Sequence, residues 1–294
     1  MTKPTYLVDG IALDDPHRRW RLERSTSRRS LPAVRVTNAS TPARHGDLFV
    51  PGDTYDAPVV GLTLVVSDRD EDGVARGPGQ AERNLDLLTA ALLGTSRLRE
   101  LEHRAGDVVR RARARVTSSA QPEALDAGLT RYQLAVVLTV PAVFWTDEQG
   151  PATFLSSGAS TDQTFTLAEL AGGTAPIADA VLRFRGPFTG TVRAWDAGAD
   201  ETPTGISWQG TLASNAFLYV DADRLVAHTA TSNDAWAYDA LADASSGLDY
   251  PAAGPLQLTP TATASGTAYR VRATRPETSA ALGALALRAE RKYL

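Results

Sequence analysis

Short apolar and β-branched runs, each closed by Gly, Pro, Asn or Asp, recur along almost the whole chain. The closing residues supply the backbone angles of tight reversals, so the pattern predicts antiparallel strand-turn-strand series. The stretch 178–221 is the clearest case, with runs at 181–184, 191–195, 206–208 and 217–220 and a loop over 197–205. Near the front, residues 6–13 alternate weakly around Asp9-Gly10, a hairpin signal. Residues 59–67 have clean strand character. Residues 129–144 read as a strand with apolar residues on both faces, expected to be buried on both, with Pro141 breaking its ladder.

One segment changes period. Over 80–93, Ala81, Leu85, Leu88, Ala91 and Leu92 fall near one face at helical spacing, with Gly79 before and Gly94 after. This helix is expected to cover one face of an N-terminal sheet. After it, 97–103 and 107–116 read as a hairpin around Ala105-Gly106. If Arg104 faces Asp107, Glu100 falls opposite Arg111 with Arg113 diagonal, giving part of the Arg111/Arg113/Arg115 ladder cross-strand partners.

The segment 36–58 has neither period. It is rich in Pro, Gly, Thr and Asp, and its apolar residues are few: Leu48, Phe49, Val50 and Tyr55. It reads as an extended arm, and a segment that buries little of itself buries something on a partner. A shift to small and polar residues over 146–160 marks a boundary, dividing the chain into 1–148 and 149–294. In the second part, strands are predicted at 164–167, 181–185, 191–195, 206–211, 217–220, 224–229, 255–259 and 268–274, which suits a double-sheet jelly roll. The Ala-rich 282–293 has helical composition but reads as the last strand of that roll. The predicted class is mainly β: an N-terminal β-sandwich or α+β domain with one helix and an arm, then a jelly-roll sandwich.

Composition narrows the function classes. At 294 residues, 43% hydrophobic and 22% charged, the chain has material for two modest cores, and no apolar run approaches the ~20 residues that span a bilayer. No membrane insertion is expected. No hydrophobic segment follows the N-terminus, which predicts assembly in the cytoplasm. Cysteine is absent, removing disulfides and thiolate chemistry. The cations are 28 Arg and 2 Lys, a coding bias rather than a nucleic-acid signature. Residues 17–35 hold seven Arg against one acid, Glu23; this is either a phosphate-facing patch or a solvated or inter-subunit face.

The search for chemistry returns little. Four scattered His give no metal-ligand spacing, and HExxH, GxSxG and P-loop patterns are absent, so no catalytic residue, metal or cofactor is expected. Asp68-Arg-Asp-Glu-Asp-Gly73 opens like a calcium loop, but the ninth position is Arg76 and the twelfth Gly79, which favours an acidic turn between strand and helix. Trp195 and Trp208 read as core; Trp236 and Tyr238, among Asn233, Asp234 and Asp239, are open to either core or glycan contact.

The order of these pieces resembles the distal tail proteins (Dit) of long-tailed phages with non-contractile tails. The resemblance rests on Tyr6-Leu-Val-Asp-Gly10 with Leu13, Pro42-Ala-Arg-His-Gly46, and Tyr55-Asp-Ala-Pro-Val59 leading into the strand ending at Ser67. It continues through Leu182-Arg-Phe-Arg-Gly-Pro187, the run 191–195, Trp208-Gln-Gly-Thr-Leu212, Leu218-Tyr-Val-Asp221 and Pro255-Leu-Gln-Leu-Thr-Pro260. It implies a virion structural protein: a homo-hexameric ring under the tail tube, closed by heterologous contacts, with a galectin-like second domain projecting outwards. The arm would grip the neighbouring subunit through Arg44, Gly46, Leu48, Phe49, Val50 and Tyr55. Implied partners are the tail tube protein, hub, tail-associated lysin or fibre proteins, and the tape measure protein, with DNA passing transiently through the lumen. The arginine-dense first domain and the acidic loop have no counterpart in that pattern. Since phosphate contacts would hold DNA back, Arg111, Arg113 and Arg115 are expected to be neutralised or to point away from a lumen. The alternative is a host-surface carbohydrate-binding module acting through Trp236 and Tyr238.

Overall fold

The structure, a computed structural model, describes residues 5–23, 26, 31–35, 38–39, 48–49, 54–93, 97–148, 150–155, 162–198, 203–264, 266–276 and 285–294. The chain divides into two compact units, the first drawn from Met1–Thr37 and Asp53–Glu148, the second from Asn38–Gly52 and Gln149–Tyr293. Among the described residues no helix is long and apolar enough to cross a membrane.

The strands of the first unit are β1 (Thr5–Val8), β2 (Ile11–Ala12), β3 (Trp20–Leu22) and β4 (Val34–Arg35). The short β5 (Asn38–Ala39) and β6 (Leu48–Phe49), which follow in the chain, group with the second unit; the first unit resumes with β7 (Thr54–Tyr55), β8 (Val59–Ser67), the helix α1 (Pro78–Leu93), β9 (Arg99–Ala105) and β10 (Val108–Ser119), then β11 (Glu123–Ala124), β12 (Arg131–Thr139) and β13 (Trp145–Asp147). The main sheet runs β2-β1-β9-β10-β12-β8-β3, with β11 on β12 and β13 on β10. Asp9 and Gly10 form the β1–β2 turn with φ of 48° and 82°. Two positive values are what a two-residue type I′ turn requires, and Asp-Gly tolerates them.

Helix α1 packs on β8 and β12 through the predicted stripe, with Ala81, Leu85, Leu88 and Leu92 buried. Facing them are Val60, Leu62, Leu64 and Val66 of β8 and Leu134, Val136 and Leu138 of β12, all buried. Each fully buried leucine contributes about 1.5–3 kcal/mol. The stripe also holds a buried polar group, Asn84, whose Nδ2 donates to the carbonyls of Ser67 (2.8 Å) and Arg69 (2.6 Å). It satisfies the chain where β8 ends and turns towards the helix.

Two expectations change here. Strand β12 is buried on one face only: Tyr132, Leu134, Val136 and Leu138 are inward, while Gln133, Ala135, Val137 and Thr139 are half-exposed. Apolar residues on both faces reflect partial cover on the second face. The β9–β10 turn consists of Gly106 and Asp107, so Ala105 faces Val108, and Glu102, not Glu100, stands opposite Arg111. The slip of two residues keeps each side chain on its predicted face but moves every partner by one pair.

The second unit contains β14 (Ala152–Leu155), β15 (Asp162–Thr166), β16 (Val181–Arg185), β17 (Phe188–Asp196), β18 (Gly205–Leu212), β19 (Phe217–Asp221) and β20 (Val226–Ala230). It ends with β21 (Leu248–Asp249), β22 (Thr261–Thr263), β23 (Gly266–Ala268), β24 (Arg270–Thr274) and β25 (Leu285–Ala289). Two five-stranded antiparallel sheets, β14-β25-β16-β19-β20 and β15-β24-β17-β18-β21, share one core. Leu182, Phe184, Leu218, Val220 and Leu287 face Val192, Ile206, Trp208, Leu212 and Val271 across it. Asp196 is buried at its rim; burial pushes its carboxyl up, against hydrogen bonds from the amides of Gly198 and Thr259. The mainly β class with a single helix and a two-sheet second unit is the one predicted.

Three details of the second unit differ from expectation. Residues 255–259 form no strand; Leu256 and Leu258 are buried, but only an isolated Ile177–Leu258 bridge pairs there. Ala152–Leu155, inside the stretch read as a linker, is an edge strand on β25. Its alternation is exposed and half-exposed, which leaves a weak sequence signal. Trp195 is half-buried on the outer face of its sheet and is not core. The 282–293 question resolves towards strand: β25 lies between β14 and β16.

Candidate functional site

Among the described residues, neither of the two clefts lined by residues 193–207 with 249–251 and by residues 153–169 with 285–287 gathers a nucleophile with its base, so the candidates are side-chain clusters and surfaces. The first is the arm. Its described parts are two antiparallel pairs nested in sequence: β4 with β7, matching Val34 to Tyr55, and β5 with β6, matching Asn38 to Phe49 and Ala39 to Leu48. Arg44, Gly46 and Val50 lie outside the described residues, and Leu48 and Phe49 are placed by backbone alone. The Tyr55 ring meets Phe144 edge-on at 5.5 Å, and Arg35 pairs with Asp56. Leu31 and Val34 beside this pair are 71% and 53% exposed, large apolar surface left open at the start of the arm.

The second surface is the arginine-rich sheet. Glu102 is nearly buried and is gripped by Arg104 and by Arg111, whose Nε donates to it at 3.1 Å. Burial pushes the Glu102 carboxyl up, but the two guanidinium groups pull it down by more, leaving it below the usual range. Arg111 also pairs with Glu148 (3.0 Å) and lies 3.6 Å from Glu100. Arg113 and Arg115 are exposed, with no carboxylate partner among the described residues; Glu100 stands across the ladder from Arg113. Neutralisation therefore reaches Arg111 and stops there. At the turn of β1–β2, Asp9 accepts from Arg97 (2.9 Å), Arg99 (2.7 Å) and the amide of Glu100 (3.0 Å), tying the hairpin to β9. In the 17–35 stretch, Arg19 is committed to Asp15, donating at 2.8 Å and 3.2 Å.

The acidic loop closes on itself. Asp70 accepts from the amides of Asp72 (3.0 Å) and Val74 (2.9 Å) with one oxygen and from Arg76 (2.7 Å) with the other, and these bonds hold its carboxyl below the usual range. Asp68 accepts from the amide of Gly77 immediately before α1. The cation that intrudes on the calcium pattern thus serves as the loop's own counter-charge. Among the described residues no three His, Asp or Glu side chains are grouped as a metal site.

The third candidate is an aromatic cluster in which Tyr219 and His228 are buried and Trp236 and Tyr238 half-buried. On the outer face of the β14-β25-β16-β19-β20 sheet, Tyr219 stacks on His228 at 5.1 Å and meets Trp236 edge-on at 5.3 Å, and Tyr238 meets His228 at 5.8 Å. The guanidinium groups of Arg183 and Arg288 lie 5.5 and 5.8 Å from the Trp236 ring centre. Tyr238 donates to Asp243 at 3.0 Å. The two residues singled out in the sequence are brought into one cluster, joined by Tyr219, His228 and Arg183, which sequence reading passed over because their spacing is cross-strand. The Tyr219 hydroxyl donates to the carbonyl of Ser232 and accepts from the amide of Ala235, so the cluster also fixes the loop that carries Trp236.

No protein-family model and no curated protein matches the sequence. Solved structures do. The Dit protein of phage SPP1, described as a paradigm of the hub adsorption apparatus in phages infecting Gram-positive hosts, superposes with a TM-score of 0.59 at 13% identity, covering 100% of both chains. The phage P2 baseplate in its activated conformation with Ca gives a TM-score of 0.39 at 9% identity over 95% of this chain and 100% of that one. Across its whole length, then, this chain has the fold of a Dit hub protein.

Proposed function

We propose that this chain is a virion structural protein of a phage tail: a distal ring adaptor, homo-hexameric, joining the tail tube to the tail-tip hub or fibre proteins and leaving a lumen for the genome. The observation that carries the reading is the match to SPP1 Dit over the full length of both chains. Similarity confined to one β-sandwich would be weak support, because sandwiches host many functions. Here both units match in order. The nested β4–β7 and β5–β6 pairs support an arm, and the exposed Leu31 and Val34 are surface that a neighbouring subunit would cover. In this reading the chain is not an enzyme, acts in the virion tail tip after assembly in the host cytoplasm, and uses the tape measure, tube and hub proteins as partners.

The test is the mass and shape of the purified full chain by light scattering and negative-stain electron microscopy, alone and in isolated tails. Six-fold rings, or monomers that become six-fold rings in tails, are expected. An obligate dimer in virions overturns the reading.

A further inference from the structure

A second aromatic site lies on the opposite outer face of the second unit. Alternation along β17 sends Val192, Ala194 and Asp196 into the core and leaves Arg193 and Trp195 outside. Trp195 stands opposite Gly205 of β18, Arg193 opposite Ser207, and Ser207 opposite Asp249 of β21. The glycine contributes no side chain, and it lines the same cleft as the indole. One flank of the indole is closed: Arg272, opposite Trp195 on β24, lies 5.2 Å from the ring centre and is itself held by Asp162 at 2.6 and 2.9 Å. The result is a cleft of ≈ 370 Å³ lined by Trp195 from β17 and by Tyr250 and Pro251 just after β21. That volume falls in the small-ligand range of about 300–1,000 Å³. Trp195 and β21 are separated by two strand spacings, roughly 9–10 Å, enough for one ring-shaped ligand between two apolar walls.

The polar groups define the ligand. Arg193 is exposed and has no carboxylate partner among the described residues, although Asp249 lies on the same row one strand beyond Ser207. Asp249 uses one carboxylate oxygen on the amide of Tyr250 (2.9 Å), leaving the other for a ligand. A site with one donor cation, one acceptor anion and stacking walls disfavours a charged ligand of either sign. It favours a neutral ring with an apolar face and several hydroxyls. We infer that Trp195, Tyr250, Arg193 and Asp249 form a binding site for a neutral saccharide. This goes beyond the tail-ring reading and does not rest on it. Trp236, by contrast, already has Tyr219, Arg183 and Arg288 against its ring.

The experiment titrates the full chain with glucose, galactose, N-acetylglucosamine, rhamnose, maltose, lactose and chitobiose, read by saturation-transfer NMR and tryptophan fluorescence. At least one sugar is expected to bind saturably. Trp195→Ala and Tyr250→Ala should each weaken it by at least about tenfold, with folding checked by circular dichroism, while Trp236→Ala leaves affinity within about twofold. Tyr250 is 51% exposed, so its variant keeps the test valid even if Trp195→Ala misfolds. The inference is overturned if no sugar in the panel saturates, if binding survives Tyr250→Ala, or if Trp236→Ala abolishes it instead. Ring formation is scored separately, so failure here leaves the tail reading standing.

Discussion

Glu102 of β9 stands directly opposite Arg111 of β10 and accepts its Nε hydrogen bond at 3.1 Å, while Arg104 holds the other carboxylate oxygen. A nearly buried acid thus anchors two arginines of a cationic sheet, and the fold depends on its charge. Glu102→Gln should lower the unfolding free energy at neutral pH by about 1.5–3 kcal/mol, the scale of hydrogen bonds to charged groups. Because the folded carboxyl titrates below its unfolded value, its contribution is present above the unfolded pKa of about 4.3 and is lost as pH falls through the folded one. Urea unfolding at pH 7 and near pH 3 should therefore show the gap between variant and parent narrowing in acid. Parallel pH profiles would refute the assignment.

Asn84 is a buried polar group in an apolar helix stripe: its Nδ2 donates to two backbone carbonyls where β8 ends, and its Oδ1 accepts from Gln80 at 3.0 Å. Asn84→Leu would improve the stripe by hydrophobicity alone. It should nevertheless destabilise by about 1–3 kcal/mol, since two part-buried carbonyls lose their donor. Thermal unfolding decides: a stability equal to or above the parent would mean those carbonyls find other partners.

Gly210 lies beneath the Trp208 ring. A Cβ there would fall 2.3 Å from the indole, which is buried and tied through Nε1 to the carbonyl of Ala244 at 2.8 Å. The ring cannot give way cheaply, so Gly210→Ala should cost about 1–3 kcal/mol by overpacking. Near-ultraviolet circular dichroism, which reports the Trp208 environment, should change with it. An unchanged spectrum and stability would contradict the packing described.

Deleting residues 42–56 tests the arm without removing any strand of the two five-stranded sheets. Rings should fail to form in electron micrographs while the far-ultraviolet spectrum retains its β signature. Normal rings in the deletion variant would remove the arm from the assembly reading.

Much of this fold was legible in the residues. The Asp9-Gly10 turn, the Leu85/Leu88/Leu92 stripe and the strand runs of 181–220 are local signals, set by backbone preference and side-chain period, and each folds as predicted. What failed was of another kind. The register around Gly106 slipped by two because either central dipeptide, Ala105-Gly106 or Gly106-Asp107, reads as a turn. The edge strand Ala152–Leu155 was passed over because an edge buries little and its composition records that. Tryptophan is usually core, yet the parity of Trp195 on β17 puts it outside.

The sequence by itself determined that the chain is a mainly β protein without cysteine chemistry, and roughly where its helix and most strands begin. Only the tertiary structure decided which residues share a surface. Tyr219, His228 and Trp236 meet through cross-strand pairing and a folded-back loop, and Trp195, Gly205 and Asp249 line one cleft across three strands although Asp249 lies far along the chain from the other two. Period and propensity act over a few residues. Adjacency across a sheet is fixed by register, which depends on every turn and bulge between the strands.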